Sequence, residues 1–461
     1  MKRVLFVDDE PKLLEGLRRT LRSLRRAWHM EFAEGGTQAL DCLAGSTFDV
    51  VITDMRMRGM NGAELLEEVM KLYPATVRII LSGQCDRQTV LKCVGPAHQF
   101  LTKPCTPDTL KTTVARACRL RDQLQGHPQR SEGSGKPGRF FAALRMTART
   151  VSRVTSVPSL PSVYAEFVAE LESARGSIQR VAEIVSRDVG MTAKILQLVS
   201  SGFFGSPRLV STPAEAVRFL GLDTIRPLTF STKAFFPFEA KDAERRWLER
   251  LIDHSLAAGM MARAIAEAEM SNDECRITKD PVLAGNAFLA GFLHDVGTLV
   301  LAEGRGASGG TGILRGLVAG GSTVGSHSAR RLDRTHASAG AYLMALWSLP
   351  DPIIKAIAFY HGPSRSPDQT FTPLSALHVA HAVLEAEALD APTARGSIDL
   401  DYLTRIGCAD RLDTWLDICR KEGRGTRGEG GGSVGWVERS ETHEGDPNNF
   451  EACDGSIVLG E

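Results

Sequence analysis

Short apolar runs alternate with helix-spaced stretches through the first 122 residues, and few folds can satisfy that rhythm. Val4 to Val7, Glu31 to Ala33, Val50 to Thr53, Val77 to Leu81 and Gln99 to Leu101 read as five strands. Between them, Leu13, Leu14, Leu17, Leu21 and Leu24 recur at helical spacing, as do Leu65, Leu66 and Val69, and later Leu110, Val114 and Ala117. Strand–helix alternation on so short a period predicts a doubly wound, five-stranded parallel sheet with helices on both faces. The run Val50-Val51-Ile52 suits a central strand buried on both sides.

The alternation then stops. Residues 123–155 are rich in Gly, Pro, Ser and Arg and predict a flexible linker. From Val157 to about Lys421, Ala and Leu at three-and-four spacing predict an all-helical domain, with the glycine-rich stretch Gly304 to Gly325 as a loop. Residues 422–461 have almost no apolar periodicity and predict a disordered tail, because such a segment buries too little to offset its ordering entropy. The expected division is therefore 1–122, 123–155, 156–421 and 422–461. A length of 461 residues agrees with more than one core.

Lys plus Arg and Asp plus Glu both total 55, so the net charge is zero and no global field draws the chain to nucleic acid or anionic membrane. With no separate helix-turn-helix or zinc finger, the sequence argues against DNA binding. The start, MKRVLFVDDE, runs into two aspartates with no apolar signal core, and no segment offers about 18 unbroken apolar residues. The nine cysteines are scattered without a CxxC pair. A cytoplasmic protein with reduced thiols and no membrane span is expected.

Functional groups in a parallel sheet collect at the carboxyl ends of its strands. Asp8 and Asp9 follow the first strand, Asp54 the third, Ser82 ends the fourth, and Lys103 follows the fifth. Three carboxylates together repel unless a cation intervenes, and hard oxygen ligands in an open site suit Mg2+. Lys103 adds a fixed positive charge able to meet a phosphoryl oxygen. The set fits phosphoryl transfer to a carboxylate. Helix capping, the plainer alternative, accounts for one aspartate at a time (Asp9 precedes Pro11) but not for several strand ends agreeing.

The segments VLFVDDE, DVVITDMRMRGMNG, IILSGQ and FLTKPC closely resemble the signature segments of the bacterial response regulator receiver domain over roughly residues 1–122. The resemblance implies a flavodoxin-like fold and Asp54 as phosphoacceptor. It implies Mg2+ held by Asp8, Asp9, Asp54 and the Arg56 backbone carbonyl. It also implies Lys103 on the phosphoryl group, Ser82 as the switch hydroxyl, Phe100 in the aromatic switch position and a cis Lys103-Pro104 peptide.

In the helical part, GSIQRVAEIVSRDVGMTAKILQLVSSGFFG reads as two helices broken at Asp188-Val189-Gly190, preceded by VPSLPSV and followed by STPAEAVRFLGLDTIRPL. These segments resemble the HDOD output domain, a catalytically degenerate relative of HD-type phosphohydrolases, from Val157 to Pro363; Ser200 stands where that family usually has asparagine. The chemistry rests on His254, His294, Asp295, His336, His361, His378 and His381. His294-Asp295 is the HD dipeptide that the resemblance implies, His254 suits the earlier ligand position, and His381 stands where active relatives have an aspartate. FYHGP has one histidine where relatives often have a pair, and the acidic–glycine signature of the HD-GYP phosphodiesterases is absent.

Two readings follow. In one, a phosphorelay response regulator takes a phosphoryl group on Asp54 from a sensor histidine kinase or phosphotransfer protein and controls a non-catalytic output domain that binds a partner or nucleotide; a homodimer is left open. In the other, His254, His294, Asp295 and His381 hold a metal that hydrolyses a nucleotide or cyclic dinucleotide. The missing carboxylate favours the first reading and argues against a divalent metal in the helical domain.

Overall fold

The computed structural model describes residues 1–83, 87–115, 151–173, 175–204, 210–230, 232, 234–238, 242–271, 282–303, 327–388, 391 and 393–426. β1 (Lys2–Val7), β2 (Trp28–Ala33), β3 (Val50–Thr53), β4 (Val77–Ser82) and β5 (Gln99–Thr102) form one parallel sheet in the order β2-β1-β3-β4-β5. Every residue of β3 is buried, as a Val-Val-Ile centre demands of a strand covered on both faces. Helices α1 (Pro11–Thr20), α2 (Gly36–Gly45), α3 (Gly62–Leu72), α4 (Arg87–Cys93) and α5 (107–115) connect and follow the strands. β2 starts three residues before its expected first residue, Glu31. Its exposed His29 and half-buried Glu31 meet each other, and Glu31 also pairs with Arg3, which breaks the apolar pattern that marks a strand. The Lys103-Pro104 peptide is cis, as the resemblance implies.

The second half is helical: α6 (Pro161–Glu172), α7 (Ile178–Ser186), α8 (Val189–Ser200), α9 (Pro213–Leu220), α10 (Leu222–Phe230), α11 (Asp242–Met270), α12 (Leu283–Leu293), α13 (Val296–Glu303), α14 (His327–Leu346), α15 (Asp351–Phe359), α16 (Pro373–Ala388), α17 (Leu400–Arg405) and α18 (Leu412–Thr426). Between α7 and α8 the break falls at Arg187-Asp188, and Val189 and Gly190 already belong to α8. Asp188 is fully buried and caps α8, accepting from Met191 N–H at 2.8 Å while its other oxygen accepts from Leu160 N–H at 2.8 Å. The stretch Leu283–Ala302 is apolar and long enough to cross a membrane, but 78% of its apolar window is buried inside the bundle, and His294-Asp295 interrupts it.

Glycines let these helices cross with backbones in contact. A Cβ on Gly291 would lie 2.6 Å from the Ala258 carbonyl and the Gly259 Cα, so α12 rests directly on α11. A Cβ on Gly297 would overlap the His336 carbonyl and approach Gly340 N to 2.6 Å, so α13 rests on α14 in the same way. Both crossings lie within three residues of His294-Asp295.

The expected linker and tail are partly ordered. Residues 123–150 lie outside the described residues, as do 427–461 and the Gly304–Gly325 stretch. Residues 151–155, however, are packed, with Val151 and Ser152 fully buried, and residues 422–426 complete α18. The reason is tertiary. The Ser152 carbonyl accepts from Arg78 Nη2 at 2.7 Å and from His98 Nε2 at 3.0 Å. His98 Nδ1 accepts the Arg78 backbone N–H, so Nε2 bears the ring proton.

The sheet and the bundle accordingly pack as one compact unit, Met1–Arg427. β5 is the sheet's edge strand, and its outward Phe100 N–H donates to the Ser201 carbonyl just past α8 at 3.2 Å. The Phe100 ring lies 5.7 Å from that of Phe203. Gln99 Nε2 donates to the Ala345 and Leu346 carbonyls, at 3.3 and 3.0 Å, where α14 ends. Lys194 of α8 donates to the carbonyls of Val94 and Thr155 and to Gln197 Oε1. Arg78 and Lys194 are both fully buried, and among the described residues their hydrogen bonds go to backbone carbonyls and to Gln197 Oε1, all neutral acceptors. Burial pulls Arg78 down to about 9 and Lys194 to about 7.

Two outcomes are expected. Gly297→Ala should cost about 1–3 kcal/mol of stability in denaturant unfolding, because backbone rather than a yielding side chain meets the new Cβ. Lys194 should make stability pH-dependent. Above about pH 7 the folded chain sheds a proton that the unfolded chain, with an ordinary lysine at 10.5, still holds, so folding strengthens as pH rises from about 7 to about 10. Denaturation of wild type and Lys194→Met across that range should show the wild type gaining relative stability with pH, by at most about 1.4 kcal/mol per unit.

Candidate functional sites

Two sites lie at the places the fold predisposes. At the carboxyl edge of the sheet, Asp8 follows β1, Asp54 follows β3 and Lys103 follows β5. Lys103 Nζ donates to Asp54 Oδ1 at 2.7 Å and to Asp8 Oδ2 at 2.9 Å. Burial alone would lower the Lys103 ammonium, but the hydrogen bonds and charges of Asp54 and Asp8 outweigh it and raise it above the ordinary value. Arg56 N–H donates to Asp54 Oδ2 at 2.6 Å, placing the 56 backbone beside the same carboxylate. Asp9 Oδ2 accepts from Arg58 N–H at 3.0 Å. The helix-cap explanation of Asp9 does not hold: the cap residue of α1 is Glu10, without a side-chain cap bond. Ser82 ends β4 opposite Thr102 of β5. Phe100 is 3% exposed, packed on the helical half.

The carboxylates of Asp8, Asp9 and Asp54 form a hard-oxygen set, and Lys103 alone offsets two of them. Among the described residues, Asp9 has only Arg58, which is 92% exposed, as a charged partner. That surplus of negative oxygen fits a Mg2+ ion keeping several waters.

The second site lies in the bundle, where α11, the α12–α13 junction, α14, the end of α15 and α16 deliver His254, His294-Asp295, His336, His361 and His381. One nitrogen from each of His254, His294 and His381 lies within 4.8 Å of the others. Asp295 sits between two groups: Oδ2 is 3.3 Å from His294 Nε2 and 3.9 Å from His254 Nε2, while Oδ1 is 3.3 Å from His336 Nε2. His336 Nε2 also lies 2.7 Å from the Tyr360 hydroxyl. His294 Nδ1 donates to the Gly291 carbonyl at 2.6 Å, so its Nε2 presents a lone pair. That lone pair faces a carboxylate oxygen without hydrogen-bond alignment, acceptor against acceptor. His381 Nδ1 and His361 Nε2 are likewise buried without a hydrogen-bond partner.

Electrostatics agree with neutral rings at His294, His361 and His381 beside an ionised carboxyl at Asp295. Burial lowers His294 to about 4 and His361 to about 3, and drives His381 well down as well. Burial would raise Asp295, but His294 and His336, followed by His254, hold it well below the usual carboxylate range.

All four helical-domain residues expected from the sequence, His254, His294, Asp295 and His381, therefore converge. His336 and His361, candidate histidines of the sequence that lie outside the four-residue set, line it as well. His378 belongs elsewhere: its Nδ1 donates to the Tyr360 carbonyl and its Nε2 accepts the Asp399 N–H, so both nitrogens serve the fold. The fit to a metal depends on its kind. A nitrogen-rich set with one carboxylate and unpaired lone pairs suits Zn2+ or Fe2+ rather than Mg2+.

Comparison with known proteins matches the geometry. The family described as response regulator receiver domain matches residues 4–115, and that described as HDOD domain matches residues 157–363. An uncharacterized protein of Treponema pallidum is 27% identical over 274 residues, 59% of this chain and 50% of its own length. The hydrogenase transcriptional regulatory protein HoxA of Cupriavidus necator is 32% identical over 203 residues, 43% of this chain and 39% of its own. This chain thus spans half or less of these relatives. Among solved structures, the signal receiver domain of an HD domain-containing protein from Pseudomonas fluorescens is 31% identical, with 26% of this chain and 94% of that one covered, at a TM-score of 0.25. Two matched families, in the order in which the parallel sheet and the helical bundle occur, show that this chain carries an N-terminal response regulator receiver domain followed by an HDOD domain.

Proposed function

We propose that Asp54 is the residue that carries the signal, taking a phosphoryl group from a sensor histidine kinase or a phosphotransfer protein. The observation behind this is the Lys103 ammonium held 2.7 Å from Asp54 Oδ1 while also bound to Asp8. In the transfer, an Asp54 oxygen bonds to phosphorus as the phosphorus–nitrogen bond of the donor histidine breaks, leaving an acyl phosphate and a free imidazole. Lys103 supplies fixed positive charge to the oxygens of the incoming group, and the Arg56 N–H orients the other Asp54 oxygen. Asp8, Asp9, Asp54 and the Arg56 carbonyl would hold Mg2+, which when bound neutralises charge on the phosphoryl oxygens. Ser82 and Phe100 are assigned to switching rather than transfer.

For the output domain, one observation favours an ion-holding reading within a non-catalytic module. The bare His294 Nε2 faces Asp295 Oδ2 at 3.3 Å, an arrangement that a cation between them relieves. His254, His294, Asp295 and His381 would hold that ion, with His336 fixing the far side of Asp295. A neutral imidazole at 381 in place of a carboxylate removes one negative charge, which moves the preference towards Zn2+ or Fe2+. The domain then serves as a rigid binding module for an output partner or nucleotide, not as a phosphohydrolase. A cytoplasmic location is a further part of this reading.

Two measurements test it. Labelling by acetyl phosphate should vanish in Asp54→Ala and in excess chelator, and persist in Ser82→Ala; undiminished labelling of Asp54→Ala would overturn the assignment. Elemental analysis of the full chain after loading with Zn2+ or Fe2+ should give about one ion per chain. That ion should be lost in His294→Ala and kept in His378→Gln, with no hydrolysis of cyclic dinucleotides in either the wild type or the variants. Equal metal content in wild type and His294→Ala would remove the ion-holding reading.

A further inference from the structure

We propose that the Tyr360 hydroxyl is a plug that limits the histidine cluster to a single ion, by occupying the coordination direction of His336. The proposal rests on the ion-holding reading of the cluster.

Asp295 divides the cluster into two halves. Its Oδ2 faces His254 and His294, on the side where those two rings and His381 each bring a nitrogen to within 4.8 Å of the others. Its Oδ1 faces the other way, 3.3 Å from His336 Nε2. His361 reaches this second side, its ring 5.4 Å from that of His336 and its buried Nε2 without a hydrogen-bond partner. Two imidazoles and the second oxygen of a shared carboxylate are donors of the same kind as the first set.

Tyr360 closes this second half. Its hydroxyl lies 2.7 Å from His336 Nε2, nearer than Asp295 Oδ1 does. A hydrogen bond that short runs close to the outward axis of the ring nitrogen, whichever atom carries the proton. A bound Zn2+ would need the same axis, at about 2.0–2.1 Å from the nitrogen. The hydroxyl and an ion therefore exclude each other at His336.

Both partners are held in place. Tyr360 is fully buried, and the rings of His361, His381 and His294 lie 4.0, 4.8 and 5.2 Å from its own. Its carbonyl accepts from His378 Nδ1 at 2.7 Å. His336 sits where α14 crosses α13, and a Cβ on Gly297 would overlap its carbonyl. Tyr360 thus presents one oxygen at a fixed point, and loss of that atom opens the direction while the ring stays packed.

Zn2+ titration of the full chain against a chromogenic chelator tests the plug, with Mg2+ in excess to keep the acidic pocket of the receiver filled. The wild type should take about one Zn2+ per chain and Tyr360→Phe about two, the second more weakly because Asp295 is then shared. The double variant Tyr360→Phe/His336→Gln should return to one, which a general loosening of the bundle would not produce. Tyr360→His, which puts a donor nitrogen in place of the hydroxyl, gives a second route to two ions if the phenylalanine variant folds poorly. No Zn2+ in the wild type would overturn the ion-holding reading and the plug with it. One ion in the wild type and in both Tyr360 variants would overturn the plug alone, as would two in the wild type.

Discussion

An edge strand of a parallel sheet leaves a row of backbone donors and acceptors without partners, and something must cover them. In this protein the strand at issue is β5, whose own residue Lys103 reaches into the acidic pocket. The cover is the helical domain, applied through the end of α8, the end of α14 and the segment around Ser152. Much of the architecture follows from that requirement. It fixes the helical domain against one side of the sheet, orders residues 151–155, and buries Arg78 and Lys194 where neither finds a carboxylate.

The helical domain solves a different electrostatic problem. Close crossings at Gly291 and Gly297 bring six polar side chains into one volume, and several present lone pairs to each other. Neutral imidazoles tolerate this better than carboxylates would, because a neutral ring adds no charge to that of Asp295. The replacement of a carboxylate by His381 therefore changes the charge of the site while the backbone that shapes it stays fixed by glycine contacts.

The receiver was legible in the sequence because its information is local. Strand periodicity gave β1, β3, β4 and β5 to within about two residues, and charged residues just past each strand end located the acidic pocket. β2 was partly hidden because the residues that make it a strand, from Trp28 to Met30, include an exposed histidine that meets Glu31 at the surface. In the bundle, the HD dipeptide pointed to Asp295, but nothing local connected it to His336, forty-one residues later in the chain. The ordered end of the linker was unreadable for the same reason. Ser152 carries no burial signal of its own, and its role arises only because Arg78 and His98 need a carbonyl.

The contact at Ser152 has a consequence for how separable the two halves are. The receiver's own sequence match ends at residue 115, yet the carbonyl that satisfies Arg78 and His98 lies thirty-seven residues further on. A receiver excised at its sequence boundary would keep a guanidinium and an imidazole placed for an acceptor that is no longer attached, beside a bare strand edge. Inheritance of this receiver by another output domain would thus require the new neighbour to supply an equivalent carbonyl, or Arg78 to change. The unit that can be exchanged intact is larger than the unit that sequence similarity outlines, because part of the receiver's interior is completed by the segment beyond its last helix.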